Sequence, residues 1–88
     1  MKGFEYYKLN FILNDCLKYD ELENFCISHE NVIYIDKTLE ELDFEIDVEI
    51  KDRIELAKLI SEIKEKYNVR NVEILAFNEY IKLESVSG

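Results

Sequence analysis

Residues 42–50 read LDFEIDVEI, with an apolar side chain at every even position and a carboxylate at every odd position. Successive side chains of a β-strand point to opposite faces, so this alternation predicts a strand with one buried and one solvated face. The inward set comprises Leu42, Phe44, Ile46, Val48 and Ile50. The other elements of the chain must therefore pack against the buried face of this strand or pair with its edges.

Three further strands are predicted around this segment. Residues 32–35, VIYI, precede it across the acidic stretch Leu39-Glu40-Glu41, which indicates a hairpin. Residues 6–13 also alternate, with Tyr7, Leu9, Phe11 and Leu13 on one face and Tyr6, Lys8, Asn10 and Ile12 on the other. The β-prone segment from Val69 to about Leu83 predicts a fourth strand, with Val72, Ile74 and Ala76 opposing Glu73, Leu75 and Phe77.

Two amphipathic helices are predicted between these strands. Asp20 and Glu23 have the spacing of a capping box, and an apolar stripe follows at Leu22, Phe25, Cys26 and His29. Asp52 and Glu55 repeat that spacing ahead of a longer stripe at Leu56, Leu59, Ile60, Ile63 and Tyr67. The order βαββαβ predicts one ferredoxin-like α+β domain over residues 1–88, a four-stranded antiparallel sheet with both helices on one face.

The other face of the sheet is left open, and it receives a set of apolar side chains. Water tolerates such a surface poorly, and a second copy related by a two-fold axis is the simplest cover. We therefore expect a homodimer or a higher homo-oligomer. Its predicted interface comprises Tyr6, Ile12, Leu75 and Phe77.

Composition narrows the classes of function. Twenty acidic against eleven basic residues give a net charge of −9, which repels DNA at long range. No apolar run is long enough to span a membrane, and the first residues do not resemble a signal peptide, so we expect a cytoplasmic protein. Cys16 and Cys26 do not form a CxxC motif, which favours reduced thiols.

Two polar constellations have both a chemical and a structural interpretation. Cys26 and His29, with Cys16 nearby, could hold a metal or form a thiol nucleophile with its base, but two such groups on an apolar stripe favour a packing role. The row Asp43, Glu45, Asp47 and Glu49, with Asp36 beside Glu45, favours a solvated face paired with Lys8, and a cation or an effector ammonium is the alternative. We expect no enzyme activity, no catalytic residue, no metal and no cofactor. The acidic faces also disfavour an RNA-binding sheet.

Three segments carry a resemblance to a known family: Tyr6-Tyr7-Lys8, residues 28–34 (SHENVIY), and residues 42–48 (LDFEIDV). With them, the chain from about Tyr6 to Leu83 resembles the C-terminal effector-binding and oligomerisation (RAM) domain of the Lrp/AsnC transcriptional regulators, archaeal type. The resemblance implies a dimer that can assemble further. It also implies that DNA is held by a separate helix-turn-helix domain, which we expect to be absent here, either because the chain is a shortened regulator or because it is a stand-alone domain.

The resemblance further implies an amino-acid effector near the second hairpin. The positions that correspond to its binding site are Thr38, Glu40, Leu42 and Asp43. Glu40 stands where the family has a glycine, which adds a Cβ and a negative charge where an effector carboxylate would approach, so lysine or arginine is favoured over a neutral amino acid. The alternative function is a stand-alone module that binds a basic protein partner or a cation through its acidic sheet face.

Overall fold

The computed structural model describes residues 3–38 and 42–77. Its elements run β1 (Glu5–Leu13), α1 (Tyr19–Ser28), β2 (Val32–Thr38), β3 (Asp43–Ile50), α2 (Arg53–Lys66) and β4 (Val69–Ala76). All three strand pairings are antiparallel, and the order across the sheet is β2-β3-β1-β4. The predicted ferredoxin-like α+β architecture is confirmed.

The register of the three strands β3, β1 and β4 aligns their inward side chains into one continuous apolar face. Opposite Leu9 of β1 lie Ile46 of β3 and Ile74 of β4, and opposite Phe11 lie Phe44 and Val72. The inward side chains of β1 and β3 form the core with residues from both helices: Tyr7, Leu9, Phe11, Leu13, Tyr19, Leu22, Cys26, Phe44, Ile46, Val48, Ile50, Leu56, Leu59 and Ile63. The predicted inward sets of both strands are therefore correct, and Leu42 packs half-buried at their rim.

The two helix starts behave differently. At α2 the Asp52 side chain accepts a hydrogen bond of 2.9 Å from the Glu55 backbone N–H, as predicted. At α1 the predicted capping box is wrong, because the helix begins at Tyr19 and its N-cap, Lys18, makes no side-chain cap bond. Tyr19 is buried, stacks edge-on with Phe44 and donates its hydroxyl proton to the Asp43 backbone carbonyl. Packing against β3 therefore sets where this helix begins.

The remaining differences concern strand ends. The second strand is longer than the predicted residues 32–35 and continues to Thr38, with a register shift between Val32 and Tyr34. The fourth strand ends at Ala76. The predicted continuation of that strand to Leu83 lies, beyond Phe77, outside the described residues, as do Leu39, Glu40 and Glu41 of the predicted turn. Across the described ranges, neither helix is long and apolar enough to cross a membrane.

Candidate interaction surface

The open face of the sheet, opposite the helices, divides into two halves of different chemistry. On β3 and β2 the outward side chains are predominantly acidic: Asp36, Asp43, Glu45, Asp47 and Glu49. We call these five residues the acidic half. On β1 and β4 the outward set includes Tyr6, Ile12 and Leu75, and the Lys8 ammonium lies 5.5 Å from the centre of the Phe77 ring. We call Tyr6, Ile12, Leu75 and Phe77 the apolar half.

Lys8 is the cation between the two halves. Its Nζ lies 3.1 Å from Oδ1 of Asp47 and 3.8 Å from Oε1 of Glu45. Partial burial lowers the pKa of Lys8, but the hydrogen bond to Asp47 and the charges of Asp47, Glu45 and Asp36 outweigh it, so the pKa is raised. Asp36 pairs with Glu45 across the strands, as predicted. One ammonium thus serves several carboxylates.

Asn10 lies beside this cation at the centre of the open face. Its cross-strand partners are Glu45 on β3 and Glu73 on β4. Its Oδ1 is buried and accepts no hydrogen bond within the described part of the chain. A buried carbonyl oxygen without a donor is energetically costly.

The predicted interface residues share one region. Tyr6 is 40 % exposed and Leu75 is 44 % exposed, whereas Ile12 and Phe77 are half-buried. Lys8 lies opposite Leu75 in the register, and Ile12 lies opposite Asn71. The apolar half therefore forms a band along β1 and β4, with a polar interruption at Lys8 and Asn10.

Of the predicted effector positions, Thr38, Leu42 and Asp43 lie beside the turn that joins β2 and β3. Thr38 pairs with Asp43, and Leu42 precedes β3 with a φ of 60°, in the left-handed region. The Leu42 carbonyl accepts a hydrogen bond of 3.0 Å from the Leu13 backbone N–H. Glu40 lies outside the described residues. The β2–β3 register thus sets Thr38 opposite Asp43, while the Leu42 backbone is hydrogen-bonded to β1.

Cys26 is buried in the core, and His29 lies at the end of α1. Burial raises the pKa of the Cys26 thiol to about 12, with Glu23 adding to the effect, so the reactive thiolate is disfavoured. His29 is the C-cap of α1, and its Nδ1 accepts a hydrogen bond of 3.2 Å from the Asn31 backbone N–H. Cys16 is exposed. The described ranges contain no group of histidine, cysteine and carboxylate side chains arranged to hold a metal ion.

Two grooves along the sheet edges were not predicted from the sequence. A cavity of about 350 Å³ lies between α2 and β4, and its apolar lining includes Leu56, Ile60, Ile74 and Ala76. A second, of about 360 Å³, lies between α1 and β2 and is lined by Cys26, Ile27, Val32, Ile33, Tyr34 and Ile35. For the groove between α1 and β2, the sequence signal was two apolar residues outside the expected inward sets, Ile27 and Ile33.

Element order, sheet order and the uncovered face define this chain as a ferredoxin-like α+β domain. Among solved structures, the one titled "Crystal structure of PH0061" is similar, with a TM-score of 0.65 and 21 % sequence identity. The match covers 84 % of this chain and 51 % of that one, so this chain spans about half the length of that protein. At this identity the likeness shows the fold alone. No family model and no curated protein matches the sequence.

Proposed function

We propose that this chain is a non-catalytic assembly domain of the Lrp/AsnC type, which forms a homodimer through its sheet. The observation that carries the proposal is the apolar half of the open face. Tyr6 and Leu75 are both large and substantially exposed although they lie on the sheet of a small domain. Burial of apolar area is the main driving force of association, and a second copy supplies a matching surface.

Effector sensing is the second part of the proposed function. Asp43, the register partner of Thr38, belongs to the acidic half, and carboxylates of this kind would stabilise the ammonium group of a small ligand. The carboxylates outnumber Lys8 there, which favours a cationic effector. DNA contacts of the intact regulator would belong to a separate domain, because a net charge of −9 opposes binding to phosphate.

Sedimentation equilibrium of the purified chain tests the assembly proposal. We expect twice the chain mass of 10.5 kDa at high micromolar concentration. Leu75→Lys places a charge in the apolar half and should shift the equilibrium toward monomer. Ile27→Lys is the matched control, because Ile27 is 65 % exposed but lies on α1, away from the open face. A wild-type chain that remains monomeric contradicts the proposal.

A specific observation favours a second candidate function. Lys8 is the one cation among the outward side chains of β1 that border the five carboxylates of the acidic half, so most of their charge is available to a partner. A basic protein segment fits this surface, with affinity that falls as salt rises. Titration with a lysine-rich peptide tests it, and the double variant Glu45→Gln, Asp47→Asn should abolish binding. A Ca²⁺ titration of the wild-type chain and of this double variant tests the alternative that the acidic half binds a cation.

A further inference from the structure

The open face of the sheet carries its surplus charge on one side. Strands β2 and β3 hold the five carboxylates of the acidic half, whereas β1 and β4 hold the apolar half together with Lys8, Asn10, Asn71 and Glu73. Removing charged groups from water without partners is strongly destabilising. A second copy that covers the apolar half must therefore leave the acidic half in contact with water.

Symmetry allows few ways to stack two open faces. The two-fold axis must lie between the sheets and parallel to both, because each face is turned over onto the other. If the axis runs across the strands, every strand lies over its own copy, and the two acidic halves are pressed together. If it runs along the strands at the middle of the sheet, β3 lies over β1 and β2 over β4 of the second copy, so both acidic halves are buried.

One placement of the axis keeps both acidic halves exposed. An axis along the strands and between β1 and β4 stacks the apolar half of one copy on that of the other, and it carries the two acidic halves to opposite sides of the dimer. The overlap is smaller than in full-face stacking. However, the area given up lies on β2 and β3, where the outward side chains are mostly carboxylates, so little apolar burial is lost.

We propose that two copies of this chain stack in this offset way, with β1 of each copy over β4 of the other. The inference rests on the proposed homodimer and specifies its geometry. An overlap of two strands buries a modest area, which is typical of weak and reversible association. Assembly does not compete with the acidic half for partners, because the dimer leaves both acidic halves accessible.

The register within one chain fixes which residues meet across the offset interface. A two-fold axis along the strands leaves the position along a strand unchanged, so each β1 residue lies over the β4 residue that pairs with its equivalent. Lys8 therefore lies over Leu75 of the second copy, and Asn10 lies over Glu73 of the second copy. Aligned sheets cross at about 30°, which changes these positions little near the axis.

Glu73 gains a cation in this arrangement. It is exposed on β4 and forms no ion pair with another described residue. In the dimer it lies about 6.8 Å along the strand from Lys8 of the second copy, a distance that an extended lysine side chain spans. It also lies over the Asn10 amide, which can donate a hydrogen bond. The two-fold axis makes each contact twice, so opposite charge at this point favours the offset interface.

Charge reversal on the two outer strands tests the offset. Glu73→Lys brings a lysine against Lys8 of the second copy, and we expect the dimer Kd to rise at least about tenfold. Asp36→Lys is the matched control, because it makes the same change of net charge at an exposed residue of β2, outside the offset overlap. It should change the Kd less than about threefold. Sedimentation equilibrium measures both constants, and circular dichroism checks that both variants fold.

A distance measurement tests the same geometry without altering the interface. In a Cys16→Ser background, Asp36→Cys accepts a spin label on β2, while Cys26 is buried and slow to react. Strands lie about 4.8 Å apart and stacked sheets about 10 Å apart, and in the offset dimer β2 lies about two and a half strand spacings from the axis. We therefore expect pulsed electron paramagnetic resonance to give about 26 Å between the two copies of residue 36, against at most about 18 Å for the two rejected axes.

The pattern of results decides between the geometries. A dimer that resists Glu73→Lys or is tightened about tenfold by Asp36→Lys overturns the offset geometry but leaves the proposed assembly function intact. A separation below about 20 Å between the two labels has the same meaning. A monomeric wild-type chain, as expected if residues 78–88 or an unrelated protein cover the apolar half instead, overturns both.

Discussion

Lys8 and Asp47 are cross-strand partners on β1 and β3, and their side chains form an ion pair of 3.1 Å at the boundary of the acidic half. The same ammonium also lies over the Phe77 ring. One side chain therefore neutralises part of the acidic half and covers part of the apolar half. The stability of the open face depends on it more than on any exposed pair along the helices.

The first prediction concerns this lysine. Lys8→Gln should lower the free energy of unfolding by about 1 kcal/mol at pH 7, because the ion pair is partly shielded from water and its loss leaves the carboxylates to repel one another. The difference should shrink in high salt and below the pKa range of the carboxylates. Urea denaturation measures it. Lys66→Gln, which removes the exposed pair of Lys66 with Glu62, is the control and should change nothing measurable.

The second prediction concerns the turn after α2. Asn68 has a φ of 57°, and its side chain joins residues 14 and 15: its Oδ1 accepts from Asn14 at 2.9 Å, and its Nδ2 donates to Asp15 at 3.2 Å. Asn68→Ala should cost about 1–2 kcal/mol, because it strains the left-handed residue and removes both bonds. Asn68→Gly keeps the backbone conformation, so it should cost less. If urea denaturation gives equal losses of stability for Asn68→Ala and Asn68→Gly, the two side-chain hydrogen bonds account for the whole effect and backbone strain contributes nothing.

The sequence predicted the sheet well because alternation at β1 and β3 is a local property. It could not predict the start of α1. Asp20 and Asp52 have the same spacing to a glutamate, but at α1 the position of the first turn depends on the contact of Tyr19 with β3, which is distant in sequence.

Other features could not be predicted either, because they depend on strand pairing between residues that are distant in sequence. The inward direction of Lys37, whose Nζ lies 2.5 Å from Oε1 of Glu23, depends on the register shift after Val32. The exposure of Ile74 likewise depends on which strand is outermost. The apolar half was predictable residue by residue, but its separation from the acidic half required the strand order.

The third prediction concerns the two thiols. Cys16 is exposed and Cys26 is buried in the core, so a thiol reagent should modify Cys16 quickly and Cys26 only when the chain opens. Titration with Ellman's reagent should count one thiol in the native protein and two in denaturant. Cys16→Ser should leave no fast phase. Two fast thiols in the native wild type would contradict the packing of α1 on the sheet.

The fourth prediction concerns alkaline pH. Burial raises the pKa of Cys26 from 9.0 to about 12, a hydrogen bond to Glu5 together with burial raises that of Tyr7, and the pKa of Lys8 is also raised. Each group keeps its proton in the folded chain where the unfolded chain has lost it. The stability is thus fully present below pH 9 and falls as pH rises.

Because Cys26 has the lowest unfolded pKa of the three, it controls the first part of this decline. We expect a loss of stability on the order of 1 kcal/mol at pH 10 relative to pH 8. Cys26→Ala should be less stable at pH 8 because of the cavity, but flatter between pH 8 and 10. Urea denaturation at a series of pH values measures both. An equal slope in the variant would assign the decline to Tyr7 or Lys8 instead.

The last prediction concerns the effector. Asp43 pairs with Thr38 at the turn end of the β2–β3 hairpin, next to the other carboxylates of the acidic half, and Glu40 occupies the position where the Lrp/AsnC family, which the sequence resembles, has glycine. An ammonium group is therefore favoured and an effector carboxylate is opposed. We expect calorimetry to show lysine or arginine binding more tightly than leucine, with leucine at best in the millimolar range, about −4 kcal/mol. Asp43→Asn should weaken the cationic amino acids, and Glu40→Gly should strengthen a neutral one. Sub-micromolar binding of leucine to the wild-type chain would show that Glu40 does not stand in the path of the ligand.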